Sequence, residues 1–318
     1  MDISIVIPLF NEEESLPELT KWINDVVVKN KFATEIIFVD DGSNDDSWNV
    51  IKKLKESYTT ITINAISFRR NYGKSAALYC GFDAAVGDVV FTMDADLQDN
   101  PEEIPPMYDM IMKEGYDMVS GWKKKRYDPV FSKNLPSKFF NWTARRMSGI
   151  QLHDFNCGLK AYKNRVVKSI EVYGDMHRYI PVLAKWAGFK KIGEKVVQHQ
   201  ERKFGVTKFG LERFIRGPLD LLSVTFISRF GKRPMHFFGV WGIIMFLIGV
   251  IAAVWVGVQK LLALSHHLKA PLVTDNAFFY IALTSMIIGA QLFLSGFIAE
   301  LVSRNGAERN KYLIAEKI

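Results

Sequence analysis

Cysteine is scarce in this 318-residue chain: Cys80 and Cys157 are its only two, far apart and in no C-x-x-C pattern. That argues against a disulfide scaffold or a thiolate metal site and for reduced, structural thiols in a cytosolic setting. Also missing is a G-x-G-x-x-G turn after the first predicted strand, where "IPLFNEEES" stands instead. A dinucleotide-binding dehydrogenase is disfavoured on that ground. The formal charge of +7 comes with no recognised nucleic-acid-binding motif. The basic excess is therefore expected to meet an acidic surface or ligand, with no nucleic acid among the partners. No internal repeat or low-complexity segment is seen. No secretory leader is expected, because Ile3–Leu9 already reads as a strand.

Charge itself is absent from two long stretches. Met235–Val258 runs for 24 residues without Asp, Glu, Lys or Arg. As a helix it spans about 36 Å, enough for a hydrocarbon core of about 30 Å. Ala277–Ala299 is equally free of these residues. Two membrane helices are predicted, at about 235–258 and 277–301. Arg229, Lys232 and Arg233 flank the first, and Arg304, Arg309 and Lys311 follow the second. The loop between them carries only Lys260 and Lys269 against Asp275. The positive-inside rule then places both termini in the cytoplasm, in a multi-pass protein of the cytoplasmic (inner) membrane. The expected organisation is a cytoplasmic domain over 1–210, an amphipathic juxtamembrane segment over 211–234, and the helix pair with a short cytoplasmic tail over 235–318.

The first 120 residues alternate two kinds of signal. Strands read at Ile3–Leu9, Glu35–Val39, Ile61–Ser67, Val89–Met93 and Met118–Ser120, with helices around Ser15–Val28, Ser47–Ser57, Ser75–Ala85 and Pro101–Lys113. The pattern predicts an α/β fold with a doubly wound, mainly parallel sheet. In such sheets ligands bind beyond the carboxyl ends of the strands, and Asp40, Asp41, Asp94 and Asp96 all fall there. Further on, "NLPSKFFNWTARRM" sets Leu135, Phe139 and Trp142 on one helical face beside Lys138, Arg145 and Arg146. This basic amphipathic helix suits either an anionic membrane surface or packing on the sheet. A second such segment, Leu211–Phe230, leads into the first membrane helix.

The carboxylates carry the chemistry. In "FVDDGSNDDS", Asp45 or Asp46 is a plausible cap for the following helix, whereas Asp40 and Asp41 are placed to accept hydrogen bonds from a nucleobase or ribose. "MDADLQD" supplies Asp94, Asp96 and Gln98, hard oxygen donors suited to Mg2+ or Mn2+. Such an ion takes one or two carboxylates, completes its shell with phosphate and water, and neutralises a departing diphosphate.

In order along the chain stand "IVIPLFNEEESL", "VDDGSNDDS", "RRNYGKSAAL", "GDVVFTMDADLQDNPEEIP", "DFNCGLKAY" and "ERKFGVTKF". Together they resemble the family 2 glycosyltransferases of the GT-A fold, and within them the branch of dolichol-phosphate mannose synthase and the bacterial undecaprenyl-phosphate glycosyltransferases. The resemblance covers about residues 2–235, and the paired C-terminal helices match the bacterial members. It implies that Pro8, Phe10, Asn11 and Glu12 line a nucleotide-sugar pocket with Asp40 and Asp41. Lys74 would approach the donor phosphates, Asp94 would position the donor, and Asp96 and Gln98 would hold the metal. Arg202 and Lys208 would bind phosphate, and Asp154 would stand beside the acceptor site or serve a turn. Arg126 and Lys133 are candidates for the acceptor phosphate, against a solvated basic surface. The usual pattern near Arg202 is R-x-x-G-x-S-K-Y, so Thr207 and Phe209 are departures. Asn100 replaces a usual proline and is expected to loosen its turn. His153 and His199 are not assigned as bases, because an acceptor phosphate is anionic already.

The activity implied is an inverting hexosyl transfer of one sugar from a nucleotide diphosphate sugar, of the UDP-glucose or GDP-mannose type, to a polyprenyl phosphate at the cytoplasmic membrane face. Two alternatives stay open: a membrane-anchored nucleotide-sugar binding protein without turnover, and a transferase to another lipid acceptor. Homo-oligomerisation is left open too. A processive polysaccharide synthase would need further membrane helices and a Q-x-x-R-W segment, and neither is present.

Overall fold

The computed structural model describes residues 1–124, 145–146, 148–174, 176–200, 234–266, 272–305 and 314–318. The chain divides into two units, 1–224 with 310–318, and 225–309.

The first unit is built on one sheet. In chain order it holds β1 (Ile3–Leu9), α1 (Leu16–Lys29), β2 (Thr34–Asp40), α2 (Ser47–Ser57), β3 (Thr62–Phe68), α3 (Lys74–Ala84), β4 (Val89–Thr92) and α4 (Ile104–Met112). There follow β5 (Met118–Trp122), β6 (Lys160–Lys163), α5 (Asn164–Lys168), α6 (Ile180–Trp186), β7 (Ile192–Val196) and, near the C-terminus, β8 (Ile314–Lys317). The strand order is β7-β5-β6-β4-β1-β2-β3-β8. Neighbours among β1 to β4 are parallel, β6 runs antiparallel to both β4 and β5, and β8 is antiparallel to β3.

Both faces of the sheet are covered, which is why its central strands read as unbroken apolar runs. Ile3, Ile5, Ile7, Ile36 and Phe38 pack with α1, α2 and α4 on one side. Val6, Ile37 and Val39 pack with α3 and α6 on the other. Over the first 120 residues the predicted strands and helices lie within two residues of the observed ones, except at the start of the last helix. Elements β6, α5, α6 and β7 have no counterpart in the sequence reading, and the two apolar helices run past their expected ends, to Ser265 and Asn305. The helix expected from Pro101 opens as a 3-10 turn, Pro101–Glu103, before α4. The strand β8 has no counterpart in the sequence reading. It is tied to α2 through Glu316, which accepts from the Trp48 indole at 2.8 Å and pairs with Lys52 at 3.1 Å.

The second unit is a helix pair, α7 (Pro234–Ser265) and α8 (Ala277–Asn305). Both are long and apolar enough to cross a membrane. Large apolar side chains such as Trp255, Ile251 and Phe297 are exposed on them. Their crossing is close: a Cβ on Gly242 would lie 2.8 Å from the Gly289 carbonyl oxygen, and one on Gly249 2.7 Å from that of Ala282. Small residues at such a contact let two helix backbones approach.

Candidate active site

The loops after β1 and β2 are stitched to each other. The Asn11 amide donates to Ser43 Oγ at 2.8 Å, the Asn44 amide to Asn11 Oδ1 at 2.8 Å, and the Glu12 amide to Ser47 Oγ at 3.0 Å. Asn11 has φ of 57°, a left-handed conformation that asparagine tolerates. Of the two capping candidates, Asp45 accepts the Ser47 amide at 3.1 Å, and Asp46 occupies the cap position without a side-chain cap bond. Asp40 and Asp41 are both buried. Asp40 accepts from the Ser43 amide at 2.9 Å and Ser67 Oγ at 3.0 Å. Asp41 accepts from the Tyr72 and Gly73 amides at 2.7 and 2.9 Å, and burial raises its pKa. Each carboxylate therefore braces loops before it offers remaining lone pairs to any ligand. Asp41 in particular anchors the turn into α3, whose first residue is Lys74.

At the end of β4 three carboxylates crowd together, and two are neutralised. Lys74 pairs with Asp94, and Lys123 with Asp99 Oδ1 at 2.9 Å. Burial alone would raise the Asp94 pKa, but Lys74, followed by Lys123, holds it down to about 2. Burial likewise opposes the Lys123 charge, yet Asp99 outweighs it and keeps the ammonium protonated. Asp96 has no such partner among the described residues. Burial, then Asp94 and Asp99, push its pKa up to about 7. Between Asp96 and Gln98, Leu97 is held at φ of 61°, a strained conformation for leucine and of the kind that clusters at functional sites. The Gln98 carbonyl accepts the Gln200 amide at 3.0 Å and lies 3.2 Å from His199 Nδ1, so His199 supports this turn. Asn100 caps the next turn rather than loosening it, accepting the Glu102 amide at 2.9 Å.

An acidic group left uncompensated in a half-buried cluster fits a hard divalent cation. No three His, Cys, Asp or Glu side chains converge as a cage among the described residues. Mg2+ needs none, since it keeps several waters beside one or two carboxylates.

Beside Asp94 opens a cavity of about 280 Å3, walled by Pro8, Lys74, Asn156, Lys160, His177 and Arg178 among others. Lys160 begins β6, is buried, and donates to the Cys157 carbonyl. His177 Nδ1 lies 3.1 Å from Ser75 Oγ, and burial, then Lys74, drive its pKa well below the usual value. Gly158 closes the wall: a Cβ there would sit 2.5 Å from Asp94 Oδ2 and 2.8 Å from Asp99 Oδ2. Lys123, Gly158, Lys160, His177 and Arg178 were not singled out by sequence reasoning. A lysine inside the apolar strand stretch "GLKAY" was the available signal.

Of the remaining sequence candidates, Asp154 is buried and accepts the Asn156 amide at 3.0 Å, the bond of a local turn. His153 stacks on Trp122 at 4.0 Å and pairs with Glu194. Arg126, Lys133, Arg202 and Lys208, and most of both predicted amphipathic segments, lie outside the described residues.

The profile described as Glycosyl transferase family 2 matches residues 4–171. A dodecaprenyl-phosphate galacturonate synthase from Rhizobium johnstonii is 33% identical over 305 residues, covering 96% of this chain and 88% of the relative. An undecaprenyl-phosphate 4-deoxy-4-formamido-L-arabinose transferase from Pectobacterium atrosepticum is 35% identical over 303 residues, covering 95% and 88%. Among solved structures, glucosyl-3-phosphoglycerate synthase from Mycobacterium tuberculosis, in complex with Mn2+, UDP-glucose and phosphoglyceric acid, superposes with a TM-score of 0.52 at 19% identity. That match covers 72% of this chain and 80% of the other, and shows a shared GT-A-type fold. With carboxylates at the carboxyl end of β4, the alternating strands before them and relatives that align over nearly its whole length, this chain belongs to glycosyl transferase family 2 and is a glycosyltransferase.

Proposed function

We propose that the protein transfers a single sugar from a nucleotide diphosphate sugar, of the UDP-glucose or GDP-mannose type, to a polyprenyl phosphate at the cytoplasmic membrane face, with inversion at the anomeric carbon. Two relatives aligned over nearly the whole chain are named for polyprenyl-phosphate sugar products, which supports the acceptor class. The observation that carries the chemistry is Asp96, the one carboxylate of the β4 cluster without a lysine partner among the described residues.

In this reading Asp96 and Gln98 hold Mg2+ or Mn2+, which when bound stabilises charge on the departing diphosphate. Lys74 keeps Asp94 ionised and Lys123 pairs with Asp99, so that the acidic cluster is braced before a donor arrives. Pro8, Phe10, Asn11 and Glu12 line the nucleotide side together with Asp40 and Asp41. Arg202 and Lys208 supply phosphate contacts, with Arg126 and Lys133 on the acceptor. An oxygen of the lipid phosphate attacks the anomeric carbon as the bond to the diphosphate oxygen breaks, and its electron pair leaves with the nucleoside diphosphate. No side chain has to remove a proton first. The helices α7 and α8 span the membrane with both termini cytoplasmic and keep the domain beside the lipid headgroup, which raises its effective concentration.

The test is turnover by the purified full chain with a panel of radiolabelled UDP- and GDP-sugars, undecaprenyl phosphate and Mg2+ or Mn2+. Label entering the lipid fraction, and lost in Asp96→Asn, is expected. Donor binding without label transfer would replace this reading with a nucleotide-sugar binding protein. Transfer to a lipid other than a polyprenyl phosphate would correct the acceptor.

A further inference from the structure

The cavity beside Asp94 is unbalanced in charge. Its wall holds three cations, Lys74, Lys160 and Arg178, and one carboxylate, Asp94, which Lys74 already neutralises. Lys160 is 4% exposed, and its ammonium rests on a neutral carbonyl, that of Cys157. Neither Lys160 nor Arg178 forms an ion pair among the described residues. Burial pulls the Lys160 pKa below the usual lysine value, and the nearby Asp154 and Asp94 carboxylates offset that only in part. His177, tied to Ser75 and held neutral by burial, adds no negative charge. The Cys157 thiol is pushed up to about 12 by burial and stays protonated.

Burying an ammonium whose one hydrogen bond goes to a carbonyl is costly, and further cations on the same wall add to that cost. An anion entering the cavity would relieve both. The cavity offers about 280 Å3 of space. That admits one sugar ring or a phosphate group.

We infer that Lys160 and Arg178 form an oxyanion subsite within the transfer site, separate from the acidic cluster around Asp96. Its ligand is a compact oxyanion, either a carboxylate carried on the donor sugar, as in a uronate, or the phosphate of the lipid acceptor. The inference rests on the transferase reading for its place in catalysis, but not for binding. Arginine offers a planar fork to such a group and lysine a point charge, so the two contacts are not interchangeable.

The experiment uses the full chain in detergent with chelator present, so that no turnover or metal contributes. A ligand that binds only the folded state raises the melting temperature. Galacturonate or inorganic phosphate should raise it, while galactose should not. The shift should vanish in Lys160→Met and in Arg178→Gln, the latter at a half-buried position that folding tolerates more readily. A response to galacturonate alone assigns the subsite to the donor sugar, and KM for uronate donors should then rise in the variants at least tenfold more than KM for neutral donors. A response to phosphate, with KM for undecaprenyl phosphate rising instead, assigns it to the acceptor. No shift with either probe, or equal shifts in wild type and in folded variants, overturns the inference. Wild-type protein inert with every donor, yet binding one probe, would sink the transferase reading and leave the subsite standing.

Discussion

Replacing Gly158 by alanine probes how tightly the acidic cluster is held. The backbone of Gly158 is not in the left-handed region, so the only obstacle to a methyl group is space. Its Cβ would lie 2.5 Å from Asp94 Oδ2 and 2.6 Å from Asp94 Cγ, where ordinary contact begins near 3.4 Å. The carboxylate must retreat by about 0.9 Å, and it cannot do so alone. It is paired with Lys74, and its amide donates to Asp99 Oδ2 at 3.2 Å. Overpacking of this kind costs about 1–3 kcal/mol of stability. At ~2–4 °C per kcal/mol for a domain of this size, the melting temperature should fall by roughly 2–12 °C. A misplacement near 1 Å at a reacting centre costs about 100-fold in rate, or ~2.7 kcal/mol. Initial rates with saturating donor and acceptor, read beside thermal melts, separate the two effects. Gly158→Ala should stay folded and lose about two orders of magnitude in kcat. A variant with unchanged kcat and melting temperature would refute the idea that close packing at Gly158 sets the position of Asp94.

Asp96→Asn should abolish transfer while leaving the chelated protein folded, and isothermal titration with Mn2+ should show the ion's affinity greatly reduced; undiminished turnover of wild type in chelator would remove the metal from the account. Because the Asp96 pKa is raised from 3.8 to about 7, the folded state binds the extra proton, so chelated protein should lose stability as pH rises from about 4 through 7. Metal affinity should rise over the same window, and pH-independent melts in chelator would contradict this. Asp94 has the opposite sign: held near 2, its contribution should persist above its ordinary value and fade as pH drops below about 4, unless Lys74→Ala has already removed it. Arg202→Ala should weaken transfer by about 2–5 kcal/mol if it breaks a buried charge pair, with lysine restoring part of the loss; unchanged kinetics would remove Arg202 from the phosphate contacts. Cysteines placed at 260–276 should react with an impermeant reagent from outside the cytoplasm and one at Asn305 should not, and the reverse pattern would overturn the topology.

The frame of the fold was legible because its signals are local. A strand buried on both faces, such as Ile36 to Val39, is apolar without a break, and Ser47–Ser57 repeats its apolar residues with a helical period. The placement of Asp40, Asp41, Asp94 and Asp96 at strand ends followed from the alternation itself. What each carboxylate touches did not, because its partners are distant in sequence. Asp41 meets the Tyr72 and Gly73 amides, and Asp99 meets Lys123, through loops whose paths no periodicity encodes. Lys160 hid in a four-residue strand, too short to read against its flanking helix. The strand β8 is equally short, and only its edge pairing with β3 gives it a sheet to join.

The central claim is a direct displacement that moves one sugar from a nucleotide onto a polyprenyl phosphate. It is tested most directly by isolating the lipid product formed from an α-linked nucleotide sugar and reading its mass and anomeric configuration by mass spectrometry and NMR. The account predicts one hexosyl residue per polyprenyl phosphate in β linkage. An α-linked product, a lipid bearing several sugars, or no glycolipid from folded, metal-replete protein with any UDP- or GDP-sugar would contradict it.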